Sequence, residues 1–254
     1  MHEQHLDPRA FLKRHSPPES DLTHVRVIVW VLPFAPEVRR SNQKRSHPSR
    51  LYSLARNNGG ALIYRMSLRL LEVLRDQGAA AAAPTVTAEY DVSRVPGFTF
   101  SSTWSQRHAA YCAGLGRFGL NGALITPLGI NVRLGSVATA LPLEPTPRKH
   151  DDHRAPCLQD QGESCGLCRD RCPADAISSQ GLDKNRCQRF RKEIREKYLK
   201  RYLQEMKLLP TPISINGEMR DRYSLGCALC QCGVPCEERD PFAASEGENV
   251  NAGY

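Results

Sequence analysis

The residues best suited to chemistry in this chain are its ten cysteines, eight of which follow Cys157. A thiol becomes a strong ligand as thiolate, and C-x2-C spacing can present two thiolates to one centre. Cys165-Gly-Leu-Cys168 is one such pair, followed by Cys172-Pro173. Cys227-Ala-Leu-Cys230 is a second, followed by Cys232 and Cys236, and Cys187 stands alone between the two groups. Metal ligation is the chemistry this pattern points to. Residues 1–14 (MHEQHLDPRAFLKR) show neither the apolar run nor the cleavage site of a secretory leader, so a cytoplasmic, reducing setting is expected. There, thiols serve metals more often than disulfides.

The run Cys165, Cys168, Cys172, Pro173 is the tail of the bacterial ferredoxin motif C-x2-C-x2-C-x3-C-P. Gly162 stands where the motif's first cysteine would be, so Cys157 would have to return to the cluster through a longer loop. In two-cluster ferredoxins the fourth cysteine of each run serves the other cluster. That rule assigns Cys157, Cys165, Cys168 and Cys236 to one 4Fe–4S cluster, and Cys172, Cys187, Cys227 and Cys230 to a second. Cys112 and Cys232 are left over; Cys232, one position short of the ferredoxin spacing, competes with Cys187. Two zinc ions on the same thiols are the alternative, and the Cys-Pro ending favours clusters.

These ligands need a scaffold. With 254 residues, 40% of them apolar, and no apolar stretch of the roughly 18–20 residues of a membrane span, the chain can bury a core and is not expected to enter a membrane. Residues 24–32 (HVRVIVWVL), ending at Pro33, predict a buried strand. Residues 35–50, basic and broken by Pro36 and Pro48, read as a solvated surface loop. Over residues 51–77 the apolar positions recur at three-to-four spacing around Gly59-Gly60, which predicts one broken helix or two. Residues 85–90 have strand character. Ser102 or Thr103 would cap a short helix reaching about Ala113, and residues 123–126 and 132–140 read as a hairpin or two neighbouring strands. Residues 186–207 set Phe190, Ile194, Tyr198 and Tyr202 at helical spacing below a basic side, which would suit an acidic flavodoxin or ferredoxin as electron donor. The fold class is thus mixed α/β, divided into an α/β domain (1–150), a small cysteine domain (151–244) joined through a proline-rich connector (143–156), and a tail (245–254). The net charge of +8 invites a nucleic-acid reading. Two clusters, each roughly −2 with its thiolates, would halve it, and nucleic acid is not expected as a partner.

Residues 104–126 (WSQRHAAYCAGLGRFGLNGALIT), Leu134-Gly135-Ser136, the LPLEP at 141–145 and the two cysteine runs come in the order found in the epoxyqueuosine reductase family. Over roughly residues 100–240 the chain resembles that family, which is related to the reductive dehalogenases. The resemblance implies an α/β cobalamin-binding domain and a C-terminal ferredoxin-like domain with two 4Fe–4S clusters, passing electrons to cobalt for reduction of a substrate. It supports the cluster ligands above, and it offers Ser102, Arg107, His108, Gly116, Phe118, Gly119, Asn121 and Ser136 to the cobalamin. Gly114, Gly116, Gly119 and Gly122 would let backbone N–H groups approach a flat macrocycle; the plainer reading is a glycine-rich turn between helix and strand. No complete D-x-H-x-x-G motif is present to bring a histidine to cobalt.

One departure bears on function. Residues 95–105 (VPGFTFSSTWS) hold no carboxylate where that family carries an aspartate proton donor, and Phe100 takes its place. His108 is then the candidate catalytic acid, against a plainer role in local hydrogen bonding. After the second cluster motif no room is expected for the helical-repeat extension that some tRNA-acting members of that family carry. The expectation is a cobalamin-dependent iron–sulfur oxidoreductase that passes electrons through two 4Fe–4S clusters to the bound cobalamin and reduces an unidentified substrate other than epoxyqueuosine in tRNA. The alternatives are an electron-transfer protein that reduces or reactivates another, corrinoid, protein, and a zinc-stabilised RNA-binding module.

Overall fold

The computed structural model describes residues 5–43, 46–91, 101–147, 153, 157–162, 165–215 and 218–241. The tail, Phe100 and most of the connector beyond Thr146 lie outside them. Helix α1 (Pro8–Arg14) is capped by Asp7, whose carboxylate accepts from Ala10 N at 2.7 Å. It leads to β1 (Arg26–Pro33), the expected strand. Where a loop is expected, α2 (Pro36–Gln43) forms instead. Pro36 sits in the first turn, where its missing N–H loses nothing, Glu37 complements the positive helix end and Arg40 the negative one.

Helix α3 (Arg50–Asp76) starts at Ser49, whose Oγ accepts from Tyr52 N at 2.9 Å, and runs unbroken through Gly59-Gly60. The reason lies in its packing. Arg133 crosses the helix at this point, and a Cβ on Gly60 would come 2.9 Å from Arg133 Nη2. The glycines lower helix propensity by roughly 1 kcal/mol each and gain the close approach of a neighbouring strand. After β2 (Ala81–Ala82), residues Pro84–Val86 form a 3-10 turn, not a strand. Helix α4 (Gln106–Cys112) is capped by Ser105, three residues later than Ser102. Ser102 Oγ instead donates to Trp104 O, and Thr103 Oγ1 to Glu89 O.

The expected hairpin is rearranged. β3 (Arg117–Phe118) pairs with β4 (Leu124–Ile125), whereas β5 (Val132–Thr139) lies between β1 and β2 in a three-stranded antiparallel sheet. Within that sheet Trp30 stands opposite Gly135, where any Cβ would collide with the indole. Leu71, Leu74, Ala81, Ala83 and Val137 form the core between α3 and the sheet, and Phe11 and Leu12 of α1 pack with Ala82.

The cysteine-rich part holds α5 (Leu167–Asp170), the small hairpin β6 (Ile177–Ser178) and β7 (Gly181–Leu182), α6 (Lys184–Glu205), and the hairpin β8 (Thr211–Ile215) and β9 (Glu218–Arg222). Helix α6 matches its predicted span closely and buries Ile194 and Tyr202. Asn57 of α3 reaches across to this part, its Nδ2 donating to Leu209 O and its Oδ1 accepting from Ser224 N, both at 2.8 Å.

Candidate metal centres

Eight cysteines wall two cavities, of about 30 and 130 Å³. Cys157, Cys165, Cys168 and Cys236 border the smaller. Cys172, Cys187, Cys227 and Cys230 border the larger. Short local devices position each thiol. Cys168 rides on α5, and Cys172 Sγ accepts from Ala176 N at 3.4 Å. Cys187 lies in the first turn of α6, fixed by Asp183, whose carboxylate caps Asn185 N and Arg186 N. Between Cys227 and Cys230 the chain turns with Ala228 in the left-handed region at φ 51°. Cys236 is carried in by the C-terminal strap: its carbonyl accepts from Ile130 N at 2.8 Å.

The electrostatics follow the same grouping. Burial first, then Cys157 and Cys165, pushes the Cys168 thiol up to about 11. Burial, Cys168 and Cys157 push Cys236 up to about 12. In the other set, burial raises Cys227 to about 11 and Cys230 well above the usual thiol range, with Cys172 and Cys187 adding to both. Apposed, desolvated thiols resist ionisation until a cation compensates them, as metal-binding thiols do. The donor sets fit thiolate-ligated metal, and among the described residues no histidine or carboxylate stands on either cavity wall. Among the described residues no three His, Cys, Asp or Glu side chains converge to hold a single ion; the thiols surround volumes.

Cys232 sits elsewhere. It is fully buried with Phe34, Val38 and Tyr52, and its Sγ accepts from Asn131 Nδ2 at 3.2 Å and Asn42 Nδ2 at 3.7 Å. These two buried asparagines hold the cysteine loop to the α/β part: Asn42 Nδ2 also donates to Cys227 O and Asn131 Nδ2 to Gln231 O, while Tyr52 OH donates to Asn131 Oδ1. A third, Asn121, borders both cavities, donating through Nδ2 to Cys230 O and accepting through Oδ1 from Ala123 N, each at 3.0 Å. Sequence reasoning missed Asn42, set in a polar basic run, and Asn131, set between Ile130 and Val132, because an asparagine's type by itself does not mark it for burial.

The residues offered to cobalamin do not share one wall. His108 lines a separate cavity of about 440 Å³ beside α1, β1 and α4, which Cys112 also borders. Its ring packs 5.0 Å from Phe118 and its Nδ1 lies 2.7 Å from Ser105 Oγ. Burial, and then His5, lowers its pKa, so the neutral imidazole dominates at pH 7. Arg107 lines the larger cysteine cavity and Gly119 the smaller. Ser136 is fully buried and accepts from Trp104 Nε1 at 3.0 Å. Gly116 lies against the Ile125 carbonyl, and in the glycine turn Gly119 N donates to Ala123 O and Gly122 N to Gly119 O. Those N–H groups are already occupied.

No protein-family model matches the chain. Among solved structures, an epoxyqueuosine reductase bound to an epoxyqueuosine-modified tRNA-Tyr stem loop superposes with TM-score 0.43 at 20% identity, covering 87% of this chain and 53% of that one. Epoxyqueuosine reductase from Bacillus subtilis, with its catalytic loop swung out of the active site, gives 0.42 at the same identity and coverage. The epoxyqueuosine reductase of Staphylococcus aureus (strain NCTC 8325 / PS 47) is 40% identical over 88 residues. The chain is epoxyqueuosine reductase-like over that stretch. The epoxyqueuosine reductase-like part is 34% of this chain, and the match spans 21% of the curated relative.

Proposed function

We propose that the chain is an iron–sulfur oxidoreductase with one 4Fe–4S cluster on Cys157, Cys165, Cys168 and Cys236 and a second on Cys172, Cys187, Cys227 and Cys230. The observation that supports it is the sorting of eight thiols into two sets, each around its own cavity. A four-iron cluster is a body whose thiolates stand around a volume, and it supplies one-electron transfer. The chain's own residues do the rest. Buried Leu120, Ile125 and Val234 keep water from the smaller cavity, and Asn121 and Ile130 wall both cavities, so the two seats are neighbours. In this reading residues 1–150 are the α/β domain and 151–244 the ferredoxin-like cluster domain.

Cobalamin, which the resemblance implies, has no continuous seat among the residues offered to it, and no step is assigned to it. This favours electrons leaving the clusters without a resident corrinoid. The substrate in this reading is not epoxyqueuosine in tRNA, since residues 95–105 supply no carboxylate to donate a proton. The electron-carrier alternative is favoured by α6, whose Arg189, Lys192, Arg195, Lys197 and Lys200 are exposed and would meet an acidic flavodoxin or ferredoxin.

Anaerobic purification with iron and sulfide analysis, followed by cobalamin titration, tests this. About eight irons per chain and no stoichiometric change in the corrinoid spectrum are expected. A saturable spectral shift would reinstate a bound corrinoid, and zinc in place of iron would overturn the oxidoreductase.

A further inference from the structure

The cavity of about 440 Å³ beside β1 shares no described lining residue with either cysteine cavity. A volume of this size suits a small ligand. One wall is formed by residues 25–29, the start of β1 and the residue before it. Among the described residues β1 pairs with β5 on one side and with no strand on the other. Every second residue of such an edge strand turns its N–H and C=O away from the paired neighbour. Among the described residues no hydrogen bond other than those to β5 reaches the main chain of residues 27–29. The open edge therefore offers main-chain donors and acceptors to whatever fills the cavity.

The rest of the wall is mostly apolar, with Leu6, Leu115 and Leu143 on it beside Trp104, which is fixed by its bond to Ser136 Oγ. Arg26 and Glu144 bring one charge of each sign, and Arg26 Nε donates to Leu143 O at 2.8 Å. His108 adds a directional polar group. Ser105 Oγ accepts from His108 N as the cap of α4, so its own proton goes to Nδ1, 2.7 Å away, and the imidazole proton stands on Nε2. Burial, and then His5, keeps that ring neutral. Such walls admit an uncharged, largely apolar molecule and present N–H donors to its carbonyl oxygens.

Position supplies the rest. Arg107 lines the larger cysteine cavity while His108, Ala109 and Cys112 line this one, so α4, roughly 10–12 Å across, stands between the two. Uncharged carbonyl compounds that take up electrons from an iron–sulfur donor are conjugated ones, above all quinones. We propose that this cavity binds an uncharged quinone, its oxygens accepting from the β1 main chain and from His108 Nε2, as the substrate of the two-cluster oxidoreductase. Reduction to the hydroquinone takes two electrons, one from each reduced cluster, and two protons from solvent; an acidic flavodoxin or ferredoxin reduces the clusters again. The substrate role rests on the two-cluster reading, whereas the binding depends only on the cavity.

The probe is 2,3-dimethyl-1,4-naphthoquinone, in which both ring positions open to thiol addition by Cys112 are blocked. Calorimetry on the anaerobically reconstituted, oxidised holoprotein should show one saturable site per chain. Binding should weaken at least tenfold in Ala109→Leu, which fills the cavity, and in His108→Phe, with His108→Gln retaining more affinity than His108→Phe. Arg69→Gln, on the exposed face of α3, should match wild type. The charged 2-naphthoate should bind at least tenfold more weakly than the quinone. One equivalent of the probe, mixed with prereduced protein freed of reductant, should abolish the EPR signal of both clusters. No saturable binding, undiminished binding by Ala109→Leu and His108→Phe, or equal binding of 2-naphthoate would overturn the proposal. So would binding of an extended valine-rich pentapeptide in place of the quinone. An EPR signal that survives mixing, with iron and binding heat intact, would overturn the substrate role. Missing iron with the heat intact would remove the two-cluster reading and leave the binding site.

Discussion

Cys187 and Cys232 look equally eligible as ligands in sequence, and their environments separate them. Cys187 faces a cavity shared with three other thiols, whereas Cys232 accepts hydrogen bonds from two buried amides. Cys187→Ala should therefore lose about half the iron, with the remaining cluster still visible by EPR. Cys232→Ala should keep wild-type iron and lose about 1–3 kcal/mol of stability, because Asn42 and Asn131 are left with fewer acceptors in a dry site. Iron analysis and urea unfolding on both variants check this; iron loss from Cys232→Ala would reassign the second set. Glu89 offers a pH test. Its hydrogen bond from Arg14, then that from His15, holds its carboxyl below the ordinary range against the effect of burial. The stabilisation is present above the unfolded carboxylate pKa and fades as pH falls through the lowered folded value. Glu89→Gln should flatten that acid limb of a stability–pH curve, and near neutrality should cost about 1 kcal/mol at most because the pair is partly exposed.

At the scale of elements, the strap that carries Cys236 depends on the turn between β4 and β5. Gly129 has φ +82°, and a Cβ there would lie 2.5 Å from Glu237 O and from Glu238 Cα. The same strap is anchored by Gln43 Nε2 donating to Glu237 Oε2, and by Arg39 to Glu238, both at 2.8 Å. Gly129→Ala should destabilise the fold by more than about 1 kcal/mol, combining backbone strain with displacement of the strap. It should also lower iron by up to half, through Cys236 alone, an outcome that iron content and thermal unfolding would show together. The LGS segment has an equally structural role here: Gly135 leaves room for Trp30, and Ser136 holds Trp104.

Across the whole molecule, buried amides tie the α/β elements to the cysteine-rich part. Asn42, Asn57 and Asn131 each bridge the α/β elements to the cysteine loops or to the segments flanking α6, β8 and β9. Metal binding is coupled to folding where ligands come from separated loops. Stripping the metal should therefore lower the melting temperature of the entire chain in one cooperative transition. Two resolved calorimetric transitions, with the upper unchanged on metal removal, would show instead that the halves fold independently.

The sequence by itself determined what is local. β1 follows from its Val and Ile run, α6 from its three-to-four spacing, and the candidate ligands from C-x2-C and Cys-Pro, since periodicity and covalent spacing act over a few residues. Local signals misread α2 as a loop and Gly59-Gly60 as a break, because the placement of Pro36, Glu37 and Arg40 at the ends of one and the packing of the other against Arg133 involve more than composition. Only the tertiary structure decided that Cys232 belongs to the core, that the residues offered to cobalamin are spread over different cavities, and that Arg56, Arg107 and Arg191 meet beside Cys187 and Cys230. Each of these depends on residues far apart in the chain, brought together by the sheet and by buried asparagines whose burial leaves no trace in the local sequence.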